Sequence, residues 1–350
     1  MDSNAKDFLQ RMLETPSPSG YERPVQDVVR GYVADFADEV TTDTHGNVIV
    51  RRGDTSAPRV YLAGHCDQIG LLVSYVSKGG FLYMQTVGGW DPQQLVGQHV
   101  TVWAKEGPIP GVVARKAIHL LTPEERNKVV DIKSLWIDIG AKDKDEALEL
   151  VRIGDPVTFE LGMRELRSGL AASPKMDNTT GVWVVIEALR RAKDLKVCMY
   201  SVSTVQEEIG LRGARTSAFG IDPQVGIAVD VTHATDCPTI SKFQEGEINL
   251  GDGPVVFRGP NINPIVGEGL LDTAEAQEIP VQLAAVGRAT PNDANAIQLT
   301  RGGVATGLVS IPNRYMHSAV ETISLDDIDH AADLLAAYVS GLDGTEDFTP

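Results

Sequence analysis

A chain of 350 residues carrying 31 Lys and Arg against 48 Asp and Glu has a formal net charge of −17. Such a field repels phosphate backbones and anionic lipid headgroups and draws cations, so neither a nucleic-acid nor a membrane partner is expected. The 42% hydrophobic and 23% charged residues exclude a disordered or fibrous chain, and the length calls for one large α/β domain or a main domain carrying an insertion.

The opening residues Met1 to Asp7 hold neither the basic nor the apolar region of a secretory leader. Apolar positions at helical spacing predict helices over 5–14 and 22–38, separated by the turn-forming run Thr15-Pro16-Ser17-Pro18-Ser19-Gly20. The period changes at Val40, where a hairpin begins that runs to Val50 around Thr44-His45-Gly46-Asn47. Arg59 to Gly64 reads as a buried strand leading straight into His65-Cys66-Asp67. Polar, ligand-type residues at the end of an apolar strand are the layout of an open α/β sheet. From 71 to 164 the texture becomes short β-rich runs, Leu71–Val76, Phe81–Val87, His99–Trp103, Gly111–Ala117, Ser134–Asp138 and Pro156–Phe159, with one helix near Lys144–Val151. Strands this short and close predict an inserted small β-barrel or sandwich. After 165 strands and helices alternate: a helix over 179–193, a strand over 197–205, a helix near 211–218 and a strand over 225–231. Strands around 247–257 and 280–286 follow, then a helix at 293–300, a strand at 304–311 and a last helix at 325–342 with Ser324 as its cap. The expected fold is an α/β domain, a central mixed sheet flanked by helices, discontinuous over 1–70 and 165–350, with a small β-barrel inserted at 71–164.

The three cysteines, Cys66, Cys198 and Cys237, have no CxxC spacing, which argues against a disulfide framework or thiolate zinc site and fits a reducing cytoplasm. Ligand-type residues gather instead at the ends of elements. His65 and Asp67 follow the strand at 59–64, and Asp177 precedes the helix at 179–193. Glu207-Glu208 follow the strand at 197–205, Asp230 ends the strand at 225–231, and His317 lies past the strand at 304–311. Helical crossovers bring such ends to one edge of a sheet. Two imidazoles with several carboxylates can hold two divalent cations about 3.5–4 Å apart, one carboxylate shared, and such a pair acidifies a water near neutral pH. A free carboxylate beside that water can act as general base, and consecutive residues such as Glu207 and Glu208 point different ways. Each motif alone is ordinary: a hydrogen-bonded His-x-Asp, a solvated Glu-Glu, an Asp capping a helix. Their common edge is what favours a site. His45, His99, His119 and His330 read as structural or surface groups, whereas His233 must lie near the same cleft.

Five motifs in order carry a resemblance. They are Gly64-His65-Cys66-Asp67-Gln68-Ile69-Gly70, Pro174-Lys175-Met176-Asp177-Asn178, Thr204-Val205-Gln206-Glu207-Glu208-Ile209-Gly210, Ala228-Val229-Asp230-Val231-Thr232 and Arg314-Tyr315-Met316-His317-Ser318. Together they resemble the glutamyl/leucyl aminopeptidase family of dinuclear zinc peptidases, the tetrahedral (TET-type) enzymes, some of which are labelled endoglucanases. The likeness extends over nearly the whole chain, including Gly88-Gly89-Trp90 and Ser134 to Gly140 in the inserted part. It implies a zinc-dependent exopeptidase fold, with His65 and Asp230 on one metal, Glu208 and His317 on the other and Asp177 bridging. It implies Glu207 as general base and Asp67 as the carboxylate that orients His65, as imidazole ligands require. Two divalent ions per subunit are implied, zinc first, though such donors also take cobalt or manganese. The substrates implied are short peptides cut at the N-terminal residue, and the inserted domain is expected to build dimers and a hollow dodecamer. Gln68 and Thr179 stand where the family commonly has Glu and Arg, and neither departure removes a ligand. Alternatives are a carboxypeptidase or dipeptidase on a related dinuclear scaffold, and an endoglucanase-type glycoside hydrolase, which would leave His65 and His317 without a task.

Overall fold

The computed structural model describes all 350 residues. Two amphipathic helices open the chain: α1 (Ser3–Glu14), where the Asp2 carboxylate caps the Ala5 N–H, and α2 (Arg23–Val33), which starts on Pro24. The second ends earlier than its apolar spacing suggests, because the Phe36 and Ala37 N–H groups both turn back to the Val33 carbonyl. Strands β1 (Glu39–Thr42), β2 (Val48–Arg52) and β3 (Arg59–His65) follow.

Six strands come next: β4 (Gly70–Val76), β5 (Leu82–Val87), β6 (His99–Ala104), β7 (Gly107–Ala114), β8 (Trp136–Asp138) and β9 (Pro156–Phe159). They close into a barrel in the order β4-β5-β8-β7-β6-β9, with α3 (Pro123–Arg126) and α4 (Lys144–Leu150) in its connections. Closure leaves no free edge, and the barrel has a core of its own around Leu71, Leu82, Val102, Leu135 and Ile137. The run expected at Gly111–Ala117 pairs earlier, from Gly107, because it is matched against β6.

The chain returns through β10 (Arg164–Glu165) and β11 (Leu170–Ser173) to α5 (Met176–Arg191), β12 (Cys198–Thr204), α6 (Arg212–Ile221) and β13 (Val225–His233). One-turn α7 (Lys242–Glu245), β14 (Val255–Arg258), α8 (Pro264–Ala276), β15 (Gln282–Ala285) and α9 (Asp293–Gln298) lead to β16 (Ala305–Asn313), β17 (Glu321–Ser324) and α10 (Leu325–Gly341). Ser324 caps α10 by accepting the Asp326 N–H. The main sheet has the order β1-β2-β12-β3-β13-β16-β14-β15. Its centre, β12, β3, β13 and β16, is parallel, while β2 and β14 join antiparallel, so the sheet is mixed. One face is covered by α1, α2, α5, α8 and α10, the other by α6 and α9. No helix is long and apolar enough to cross a membrane.

Helix α5 is buried from Met176 through Leu189. It lies so close to β3 that a Cβ on Gly64 would stand 2.3 Å from the Gly181 carbonyl carbon, so position 64 must lack a side chain. Three local readings are corrected by the structure. The strand expected over 247–257 begins only at Val255, because Gly251 and Gly253 donate their N–H groups to the Asp327 carboxylate instead of to a neighbouring strand. Helix α8 is not visible in the apolar spacing, which Gly267 and Gly269 dilute, yet Asn263 caps it and Pro264 starts it. His330 is half-buried on α10 rather than exposed.

Candidate metal centre

The parallel strands end together. β3 finishes on His65, opposite Thr204 of β12, three residues before Glu207. Asp230 of β13 sits beside Ser310 of β16, whose chain runs on to His317. Asp177 opens α5 over the same edge with non-helical dihedrals, and the Asp177–Asn178 peptide is cis. The Asn178 side chain donates to the Val229 carbonyl at 2.7 Å, which ties the start of the helix to β13.

Around this edge His65 Nε2 lies 3.2 Å from Asp177 Oδ1 and 3.8 Å from both Glu207 Oε2 and Asp230 Oδ1. His317 Nε2 lies 3.4 Å from Asp177 Oδ2 and 3.5 Å from Glu208 Oε2. Two donor groups result, His65–Asp177–Asp230 and Asp177–Glu208–His317, the atoms of each within 4.8 Å of one another, with Asp177 common to both. These five residues and Glu207 line one cavity of ≈ 590 Å³. His233 lines it too, at the end of β13. A larger cavity of ≈ 770 Å³, beside Glu22, Arg23 and Arg152, contains none of these donors. Cys66, between His65 and Asp67, is buried in the main apolar core.

Both imidazoles are held in the tautomer a cation needs. His65 Nδ1 is 3.0 Å from the Asp67 carbonyl oxygen, and His317 Nδ1 is 2.8 Å from that of Gly89, at the base of the barrel. A carbonyl only accepts, so each Nδ1 carries its hydrogen and Nε2 is the nitrogen that faces the cleft, free for a cation once its own proton is displaced. Asp67 does more than face His65, whose Nδ1 is 3.4 Å from its Oδ1. Its carboxylate accepts the N–H groups of Glu207 and Glu208 at 2.9 and 3.2 Å and the Ser19 hydroxyl at 2.6 Å. The acid pair is thereby aimed by its own backbone.

One participant escapes the sequence reading. Glu321, 1% exposed, accepts the Asp177 N–H on Oε2 and the His317 N–H on Oε1, each at 2.8 Å. It clamps the backbone of a residue from each donor group. The available signal is an acid inside Val320-Glu321-Thr322-Ile323, since a carboxylate in a buried strand needs partners.

Burial raises the Asp230 carboxyl to about 7 and Glu208 to about 8, with the Asp177 charge adding to both. Glu207 is pushed well up, again by burial first. At Asp177 burial opposes the charge, but the His317 and His65 imidazoles outweigh it and hold the carboxyl below the usual range. Contact with Asp177 in turn lifts His317 to about 9. Acids thus outnumber positive groups in a buried space, a balance that bound cations reverse. Asp177 Oδ1 and Glu208 Oε1 are buried without a hydrogen-bond partner. Asp177 Oδ1 lies 3.2 Å from His65 Nε2 but not in the geometry of a hydrogen bond. Orphaned carboxylate oxygens beside outward-turned imidazoles fit two divalent cations. A glycosidase pair of carboxylates leaves this convergence unexplained.

Known proteins share this arrangement of chain. The sequence profile of M42 glutamyl aminopeptidases matches residues 46–334. The lysyl aminopeptidase of Pyrococcus furiosus is 39% identical, over 98% of this chain and 99% of its own. Among solved structures, the TET aminopeptidase of a marine sediment archaeon of the Thaumarchaeota superposes with a TM-score of 0.92 at 35% identity, covering 97% of this chain and 96% of that one. A TET peptidase of Pyrococcus horikoshii, described as able to assemble into a tetrahedron or a large octahedral shell, gives a TM-score of 0.86 at 31% identity, covering 97% and 100%.

Proposed function

Because the chain belongs to the M42 glutamyl aminopeptidase family and is a peptide-bond hydrolase, we propose that it removes the N-terminal residue of short peptides at the two donor groups that share Asp177. The observation that carries this reading is that one carboxylate faces both imidazoles, at 3.2 and 3.4 Å. In this reading His65 and Asp230 would hold one divalent cation and Glu208 and His317 the other, with Asp177 shared between the groups and zinc the expected ion. Divalent cations held there would supply polarisation of the scissile carbonyl and a lowered pKa for the attacking water.

Glu207 is the base in this scheme. Its backbone is fixed by Asp67 and its side chain faces the cleft beside His65. As the water oxygen adds to the carbonyl carbon, Glu207 takes the proton; as the C–N bond breaks, it hands that proton to the leaving amine. Its burial, which favours the neutral carboxyl, suits it to holding a proton between the two events. Asp67 and Glu321 keep the acids and His317 in place throughout. The same acid-rich cleft receives a free α-amine, and an acylated N-terminus offers it nothing cationic.

The barrel is read as the module that builds dimers and, from them, a dodecamer; exposed Ile118, Leu120 and Val129 on its connections support this. A cytoplasmic location is part of the reading, in keeping with three free thiols. The test is a panel of free and N-acetylated aminoacyl anilides and peptides, assayed on chelated enzyme with each metal restored. Hydrolysis of the free substrates alone, recovered with zinc, is expected. Cleavage of acetylated substrates, or full activity in chelator, overturns the reading. Light scattering tests the assembly, and a monomeric mass removes that part of it.

A further inference from the structure

Beyond the metal donors the cavity continues between the ends of β14 and β16 and the loop that enters α9. Its far wall is made by Phe257, Leu308 and Met316 and by the uncharged polar groups Thr290, Asn292 and Ser310. Thr290 and Asn292 are 3% and 8% exposed. Thr290 Oγ1 and Asn292 Oδ1 are buried with no hydrogen-bond partner. Folded proteins rarely leave buried polar atoms unpaired, so two such atoms lining one cavity point to a ligand that meets them.

We propose that this wall receives the side chain of the substrate's N-terminal residue and selects an uncharged one, aliphatic or amide, with Asn292 and Thr290 as the determinants. The inference rests on the hydrolytic reading above and adds the class of residue removed. Outside the donors, Glu207 and His233, the lining holds no ionisable group, so a lysyl ammonium or glutamyl carboxylate set against Phe257, Leu308, Thr290 and Asn292 would leave water without an opposite charge, and an unpaired buried charge is strongly disfavoured. A leucyl or methionyl side chain gains by burial against Phe257, Leu308 and Met316. A glutaminyl amide can also meet Asn292 Oδ1 and the Thr290 hydroxyl. Arg288 belongs to the same loop but is exposed and is not part of the lining. A lysyl or glutamyl preference would need its counter-charge inside.

The metal-loaded enzyme is assayed with leucyl, methionyl, glutaminyl, lysyl and glutamyl anilides. The neutral substrates are expected to exceed both charged ones in kcat/KM by about 100-fold, within the range that pocket chemistry achieves. Asn292→Asp is expected to move the lysyl to leucyl ratio toward lysine by at least about tenfold, the value of one unscreened charge contact. Thr290→Asp serves the same end if the first variant does not fold. A lysyl or glutamyl substrate as fast as leucyl overturns the proposal; an acidic preference abolished by Arg288→Ala would transfer the role to that residue. Calorimetry of L-leucinamide, L-lysinamide and the α-amide of L-glutamate on the same protein separates the two levels. If no anilide is cleaved while leucinamide binds most tightly, hydrolysis fails and the pocket stands. If a charged amide binds as well as leucinamide, the pocket fails whatever the turnover.

Discussion

Glu207 and Glu208 are neighbours in sequence that one carboxylate, Asp67, holds by their backbone N–H groups, and their separate aims lead to separate failures. Glu207→Gln keeps near-normal metal content but loses two or more orders of magnitude in turnover, about the contribution of a placed general base. Anilide hydrolysis and elemental analysis on one sample check this, and wild-type turnover would take the base role from Glu207. His317→Ala is expected to lose metal as well as activity. At Glu321 a single atom matters: Glu321→Gln sets an NH2 against the N–H of Asp177 or His317 and leaves one amide unpaired, for about 1–3 kcal/mol. Urea titration reads that loss, and an unchanged midpoint would mean the clamp contributes nothing. The candidate donors were legible because each lies where an apolar run gives way to a polar residue. Glu321 was not, because one of its two partners, the Asp177 N–H, lies 144 residues away, and the other, four residues off at His317, does not by itself mark a site.

At the scale of elements, the alternation of apolar strands and helices could be read wherever burial is continuous, as in β3, β12, β13, β16 and α5. The reading failed where local chemistry interrupts the period. In α8 two glycines dilute the apolar stripe, and before β14 the glycines serve Asp327 in place of a strand. The contact that sets the height of α5 above the sheet was also hidden, since an isolated Gly64 gives no sign that Gly181 faces it. Gly64→Ala places a methyl 2.3 Å from backbone, and backbone cannot rotate away as a side chain would. The expected loss is about 1–3 kcal/mol or more, seen as a lower denaturation midpoint. Metal retention should fall with it, because the moved helix carries Asp177. A variant as stable as the parent would show that the sheet and helix have room between them.

For the whole molecule, the centre collects like charges that the proposed ions would balance. Chelation is expected to lower the thermal midpoint by several degrees and zinc to restore it, since an ion present at about 1,000 times its Kd and bound only to the native state adds about 4.1 kcal/mol. Calorimetry on ion-free protein checks this; an unaltered midpoint with the ions demonstrably gone would mean the donors do not need them. Barrel and sheet are joined at this point as well, through the Gly89 carbonyl that fixes the His317 ring. The donors are drawn from positions as far apart as His65 and His317, and that separation sets how much of the chain must be present before both groups exist. A growing chain possesses β3 and its imidazole early, but the second donor group waits for β16 and the turn beyond it. On the proposed reading, a chain that stops short of His317 keeps the first donor group and lacks the second.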